Sequence, residues 1–392
     1  MPFRRDSPRP CAIERTEVAG IPCFWGEAPP PFTATLVFRV GRADETLATS
    51  GITHICEHLL MPASPPRDLD RNARVEDSFA VFWATGNERR VLRFLEDTAA
   101  LIASPPVERI ATERKILQAE AASRGVHSVN AAMALRFGAR AHGLAGYDEY
   151  GLNSVGPDEA REWIGRYFTR PNAGLWMTGR PPRDFRPELP DGSRVAPVKP
   201  EPLADVSFPS AFVGGPDDTV VASFLSPRSP AFSAAYTVLV DRAWKRIRYE
   251  QGLAYDVGDW YEQLTGKVSA STLWIESLEE NTQPVRNALL GILEDLAESG
   301  ASEEELAENL GTYRETVSDP TELPSSLHFS AVEHLFGEPF VDAAEWLRRR
   351  REVTSEATAA AIRPALESLL LILPEDSDVP QGFTEYPRFS PA

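Results

Sequence analysis

The sequence predicts an α+β protein made of two duplicated α/β sandwich domains, each a mainly antiparallel sheet covered by helices. Three observations predict it. Strand-like apolar runs come first and long amphipathic helical runs follow them. That order occurs twice, about 190 residues apart. Between the two occurrences lies a proline-rich stretch, RPPRDFRPELPDGSRVAPVKPEPLADVSFPS over 180–210, with the composition of an extended linker. The domains are accordingly drawn as 1–195 and 196–392.

The first half opens with a β-rich run, FTATLVFRVG over 32–41, and the second with DTVVASFLS over 218–226. A helix follows in each, over 47–61 and 231–250. A second strand comes next, FAVFWATG over 79–86 and KVSASTLWIES over 267–277. Amphipathic helices then fill 88–103, 106–123 and 157–168 in the first half, and 281–299, 303–317 and 342–351 in the second. Short apolar strands close the halves, AGLWMTG over 173–179 and LLLILPE over 369–375. The halves match in element order, not residue by residue.

Composition narrows the function. Hydrophobic residues make up 42% of the 392, enough for two cores, and the net charge of −18 disfavours nucleic acid and anionic membranes as partners. An acidic surface would attract a basic peptide. No run of about 18 apolar residues is present, so no transmembrane helix is expected. The first residues lack the apolar segment of a secretory signal. Three cysteines, Cys11, Cys23 and Cys56, are too few and oddly numbered for a disulfide framework. The expected compartment is the cytoplasm.

The chemistry concentrates in SGITHICEHLLMP, residues 50–62. Positions i, i+3 and i+4 share one helix face, so His54, Glu57 and His58 project together. Two neutral imidazoles one turn apart can share a zinc ion, and the glutamate beside them can act as a base toward its water. The order H-x-x-E-H inverts H-E-x-x-H. A catalytic zinc takes three protein ligands, so a third must come from elsewhere. The helix PVERIATERKILQAEAASR offers Glu113 and Glu120, two turns apart on one face. Either can ligate, leaving the other to support the site from outside the ligand set.

The ordered segments resemble the pitrilysin family of zinc peptidases, which includes insulysin and the mitochondrial processing peptidase. VGRADETLATSGITHICEHLL resembles that family's approach to its inverted zinc motif, and RNARVEDSFAVFWATG its N-A-x-T-x-x-D-x-T-x-F strand pair. ERKILQAE resembles its E-R-x-V-I-L-x-E helix, and RYEQGLAYDV its R-x-x-x-G-L-A-Y-x-V segment. The resemblance spans roughly residues 20 to 375 and points to the half-size, bacterial branch. It departs in three places. The interval from His58 to Glu120 is shorter than usual, through a trimmed loop in MPASPPRDLDR. Val75 stands where a threonine is expected, and Cys56 where a large apolar residue is usual.

The resemblance implies one zinc ion per chain, held by His54, His58 and Glu120, with Glu57 as general base and Glu113 as an assisting glutamate. It implies that Tyr255 stabilises the oxyanion and that Arg248 anchors the substrate. Asn72, Ala73 and Arg74 would offer an edge strand to the peptide. The implied reaction is endopeptidase hydrolysis of peptides or unfolded segments in a clamshell chamber, with removal of a leader peptide from a precursor as one use. The alternative is a non-catalytic or partner-dependent peptide-binding subunit of a heterodimeric peptidase of the same family. A homodimer, or a heterodimer with a related half-size chain, is expected. His127 and His142 read as surface or core residues, His328 and His334 as non-ligands, and Trp260, Tyr261 and Trp274 as packing of the second sheet.

Overall fold

A computed structural model describes residues 9–62, 69–121 and 127–387. The middle of the trimmed loop (63–68) and the end of the helix expected over 106–123 lie outside them. The first sheet contains β1 (Glu14–Val18), β2 (Ile21–Trp25), β3 (Phe32–Phe38), β4 (Asp70–Val75), β5 (Ala80–Gly86) and β6 (Ala173–Met177), in the order β1-β2-β6-β3-β5-β4. The second contains β7 (Ser210–Gly215), β8 (Thr219–Pro227), β9 (Ala254–Gln263), β10 (Val268–Ser277), β11 (Leu370–Pro374) and β12 (Thr384–Glu385), in the order β12-β7-β11-β8-β10-β9.

The two sheets share a five-strand plan. β2-β6-β3-β5-β4 and β7-β11-β8-β10-β9 follow the same chain order, and in each the first pair is parallel and the rest antiparallel. They differ in the sixth strand. β1 lies antiparallel to β2, whereas β12 runs parallel to β7. The duplicated, mainly antiparallel α+β architecture is as the sequence predicts.

The helices are α1 (Ile52–Leu60), α2 (Glu88–Ala103), α3 (Ile110–Ala121), α4 (Ser128–Phe137), α5 (Pro157–Tyr167), α6 (Pro230–Ala243), α7 (Thr282–Ser299), α8 (Glu303–Ser318), α9 (Leu323–Leu335), α10 (Ala343–Arg351) and α11 (Ser355–Glu367). The chain forms two compact units. One comprises Met1–Gly125, Ala139–Val198 and Tyr313–Leu347; the other comprises Val126–Gly138, Lys199–Thr312 and Arg348–Ala392. Each therefore includes a segment from across the 195/196 division read from the sequence.

Both sheets are buried on two faces, which is why their strands read as near-continuous apolar runs. In β3, Leu36 and Phe38 enter the core shared with Ile55 and Leu59 of α1, while Val37 turns to the opposite face. There α9 supplies Leu323, Leu327, Ala331 and Leu335. In β8, Val220, Ala222 and Phe224 meet α7 and α11 through Leu289, Ile292 and Ile362. Val221 faces Ala132 of α4 on the other side, and Val129, Met133 and Phe137 of the same helix pack beside Ala270 and Trp274.

The local differences from the sequence have physical causes. The helix expected over 47–61 begins with a 3-10 turn, and α1 starts only after Gly51, whose φ is +88°. The helix expected over 231–250 is α6 continued by a π-helical segment, Trp244–Glu250. Strands β1, β2, β7, β9 and β12 were not expected. β1 alternates charges, and β2 and β7 sit beside proline and glycine. Residues 180–209 hold no helix or strand, in keeping with an extended stretch. Among the described residues no helix is long and apolar enough to cross a membrane.

Candidate metal centre

Helix α1 buries Ile52, Ile55, Leu59 and Leu60, so its remaining face carries His54, Glu57 and His58. Its first turn has no N-cap side chain of its own. The buried carboxylate of Glu45 substitutes, accepting the N–H groups of Gly51 at 2.8 Å and Thr53 at 2.9 Å. Burial pushes the Glu45 carboxyl up to about 7 against those hydrogen bonds, and Glu149 pushes the same way.

Two glycines bring the segment 149–152 against this turn. A side chain at Gly51 would meet Leu152 at 2.6 Å and Glu149 at 2.8 Å, and one at Gly151 would meet the Ser50 nitrogen at 2.4 Å. The approach places Glu149 on the first histidine. His54 Nδ1 lies 2.9 Å from Glu149 Oε1 and 3.2 Å from Oε2. On the second histidine, His58 Nδ1 lies 3.2 Å from Glu113 Oε2. Arg109 donates to the other Glu113 oxygen at 2.5 Å.

With each Nδ1–H donating to a carboxylate, the lone pair of each ring stays on Nε2. Those two atoms face the same carboxylate. His54 Nε2 is 3.9 Å from Glu120 Oε2, and His58 Nε2 is 3.8 Å from Glu120 Oε1. Glu57 Oε2 lies 3.8 Å from His54 Nε2 and 4.0 Å from His58 Nε2. The rings stand edge-on, with centres 5.1 Å apart. Burial, then the neighbouring His54, lowers the His58 pKa against the pull of Glu113, favouring the neutral form that ligates. Burial raises the Glu57 carboxyl to about 7; His54 opposes this and Glu120, Glu113 and Glu149 reinforce it.

The donor set suits a divalent cation of zinc type. Two imidazole nitrogens and a carboxylate match its ligand chemistry, and bonds of about 2.0–2.1 Å in a tetrahedron need ligand atoms about 3.4 Å apart. The nitrogen–oxygen separations of 3.8 and 3.9 Å exceed that by a few tenths of an ångström. Among the described residues, the group of His, Cys, Asp and Glu close enough to hold a metal is His54, Glu57 and His58.

The remaining residues separate. Asn72, Ala73 and Arg74 lie on β4, an edge strand packed under α1, and Arg74 is ion-paired with Glu76. Arg248 and Tyr255 belong to the other compact unit. Arg248 sits in the π-helix, its guanidinium 5.5 Å from the Trp244 ring centre and 5.6 Å from that of Tyr249. Tyr255 is half-exposed on β9. Local desolvation and a hydrogen bond to Glu276 raise its pKa. Cys56 is buried in the core beside α5. His142 is buried with Nε2 3.2 Å from the Val198 carbonyl, and His127 accepts from Val129 at the start of α4.

Sequence reasoning missed Glu149 and Glu45. Neither lies on a periodic helix face that would signal a role. Gly51 and Gly151, whose close approach brings the two segments together, carry the only local hint.

No protein-family model matches the sequence and no curated protein matches it. Solved structures match its fold. A protease from Helicobacter pylori gives a TM-score of 0.75 at 12% identity, covering 94% of this chain and 100% of that one. A peptidase M16 inactive domain from Pseudomonas fluorescens gives 0.74 at 12% identity, covering 93% and 98%. Pitrilysin gives 0.68 at 13% identity, covering 94% of this chain and 46% of that one. At these identities the likeness is one of fold.

Proposed function

We propose that the chain is a zinc-dependent endopeptidase of the pitrilysin family, hydrolysing peptides or unfolded segments, with leader-peptide removal as one use. The observation that carries the reading is the pair of Nε2 atoms turned toward Glu120 while Glu149 and Glu113 occupy both Nδ1 positions. His54, His58 and Glu120 would hold one zinc ion. When bound, it would supply a Lewis acid and a water acidic enough to ionise near neutral pH.

The chain's own residues do the rest. Glu57, whose carboxyl is raised to about 7, is matched to taking a proton at Oε2 near neutral pH and returning it to the leaving nitrogen. Glu113 and Glu149 hold the rings and the tautomer. The open edge of β4 would take the peptide as an added strand, with Asn72, Ala73 and Arg74 along it. Tyr255 would donate its hydroxyl to the developing oxyanion and Arg248 would anchor the peptide backbone. This chain or a dimer partner, identical or related, would supply the pair.

The test pairs metal content with cleavage of an unstructured peptide. About one zinc per wild-type chain, lost in Glu120→Gln, together with cleavage abolished by Glu57→Gln, is the expected result. Zinc without cleavage would favour the partner-dependent peptide-binding subunit. No zinc would overturn the peptidase reading.

A further inference from the structure

The first sheet ends at β1, on the edge opposite β4. A groove of about 750 Å³ runs beside it, lined by Glu14–Ala19, Trp25, Arg180–Arg183, Phe185 and Arg186. Its chemistry is unlike the rest of this acidic chain. Arg15, Arg180, Arg183 and Arg186 line it, against the two carboxylates of Glu14 and Glu17. None of the four guanidiniums forms an ion pair among the described residues. Arg15 rests 5.8 Å from the Phe24 ring centre, and the Arg186 backbone N–H donates to Glu96. Four unpaired cations in a chain of net charge −18 constitute a local reversal of its field.

The backbone beside them is open. β1 and β2 are joined by a two-residue turn, Ala19 and Gly20, both with positive φ, which sets the hairpin register. Val18 and Ile21 flank the turn as a hydrogen-bonded pair, so Thr16 and Glu14 also bond to β2. Arg15 and Glu17 then present their N–H and C=O groups outward. Opposite Glu17 stands Pro22, which has no N–H, as that register allows. Trp25 and Phe185 give the groove an apolar floor.

We propose that this groove binds an extended acidic peptide segment, added as a strand to the outer edge of β1 with its carboxylates on Arg180, Arg183 and Arg186. The main-chain bonds fix the register and the arginines select the charge. Nucleic acid fits less well, because the basic surface is confined to one groove of a strongly acidic chain. The inference does not depend on hydrolysis at the metal centre.

The test is fluorescence anisotropy on the full chain carrying Glu57→Gln, so that no probe is cut. The probe is an unstructured Glu/Ser/Gly peptide of about ten residues, long enough to span β1. It should bind, and a Lys/Ser/Gly peptide of equal length should not. Binding should weaken at least about tenfold in Arg180→Glu/Arg183→Glu, and again as salt rises from about 50 to about 200 mM. Both arginines are exposed, so the thermal melt should not move. Glu17→Lys should tighten binding several-fold, a gain that misfolding cannot produce. A copy of the probe N-methylated at alternate residues should lose most of its affinity. Absence of binding at about 1 mM, or binding indifferent to the charge reversal, would overturn the proposal. An N-methylated probe that binds equally well, or is displaced by comparable inorganic phosphate, would make the groove a simple anion site and overturn the strand addition.

Discussion

Glu149 Oε1 lies 2.9 Å from His54 Nδ1, although 95 residues separate the two in the chain. The carboxylate fixes the ring and its tautomer, so its removal should be felt at Nε2. Glu149→Ala is expected to weaken zinc binding by about 10–100-fold, read by titration against a chelator. Glu149→Gln should lose less, because an amide oxygen still accepts from Nδ1–H. Unchanged affinity in Glu149→Ala would remove its positioning role.

The buried carboxyl of Glu45 should contribute a loss of stability, in the absence of metal, as pH rises through neutrality. The Glu45 carboxyl is raised from 4.5 to about 7 in the folded chain, so the folded state binds its proton more tightly than the unfolded state. That contribution is complete below about pH 4.5 and is lost as pH rises through about 7. Glu57 adds a slope of the same sign. Thermal melts in chelator should show the downward contribution reduced in Glu45→Gln and reduced further in Glu45→Gln/Glu57→Gln, where burial of His142, His328 and His334, which lowers their pKa, makes stability rise with pH instead. A double variant as steep as wild type would place the titration elsewhere.

Gly51 and Gly252 separate strain from crowding. Both have positive φ, +88° and +62°, but only Gly51 has neighbours where a side chain would sit. Gly252→Ala should cost about 1 kcal/mol of unfolding free energy in urea. Gly51→Ala should cost about 2–4 kcal/mol and also weaken zinc binding, because Glu149 and Leu152 must shift. Equal costs at the two positions would contradict the close-approach argument.

The rings of Trp244 and Tyr249 flank Arg248 on the π-helix. In the proposed peptidase, Trp244→Ala should raise KM for an unstructured peptide several-fold, with kcat and zinc content unchanged. Combining it with Arg248→Ala should add little, since both act through one side chain. A Trp244→Ala effect undiminished in the Arg248→Ala background would show that the indole acts independently.

The parts legible in the sequence were those with short-range signatures. The apolar runs of β3, β5, β8 and β10 and the helical period of α2 and α7 mark themselves within a window of a dozen residues. His54, Glu57 and His58 were legible for the same reason, since one helix face brings them together. Glu149 was not, because its role arises only where Gly51 and Gly151 allow two distant segments to touch. Nor were β1 and β2, whose hairpin depends on positive φ at Ala19 and Gly20 more than on an apolar pattern. The π-helix at Arg248 follows a helical period and differs only in its hydrogen bonding, which composition does not encode.

Helices α4 and α9 each lie in the half of the chain that does not supply the sheet they pack on. A gene split anywhere in 180–209 would therefore make two products, each with one naked apolar sheet face and each carrying the lid the other lacks. Neither half could be traded into another protein as a module, and recombination between relatives would be tolerated only where both halves travel together. Expressed alone, each half should aggregate; produced in the same cell, the two should rescue each other's solubility. Each half thus lends one helix to close an apolar sheet face of the other.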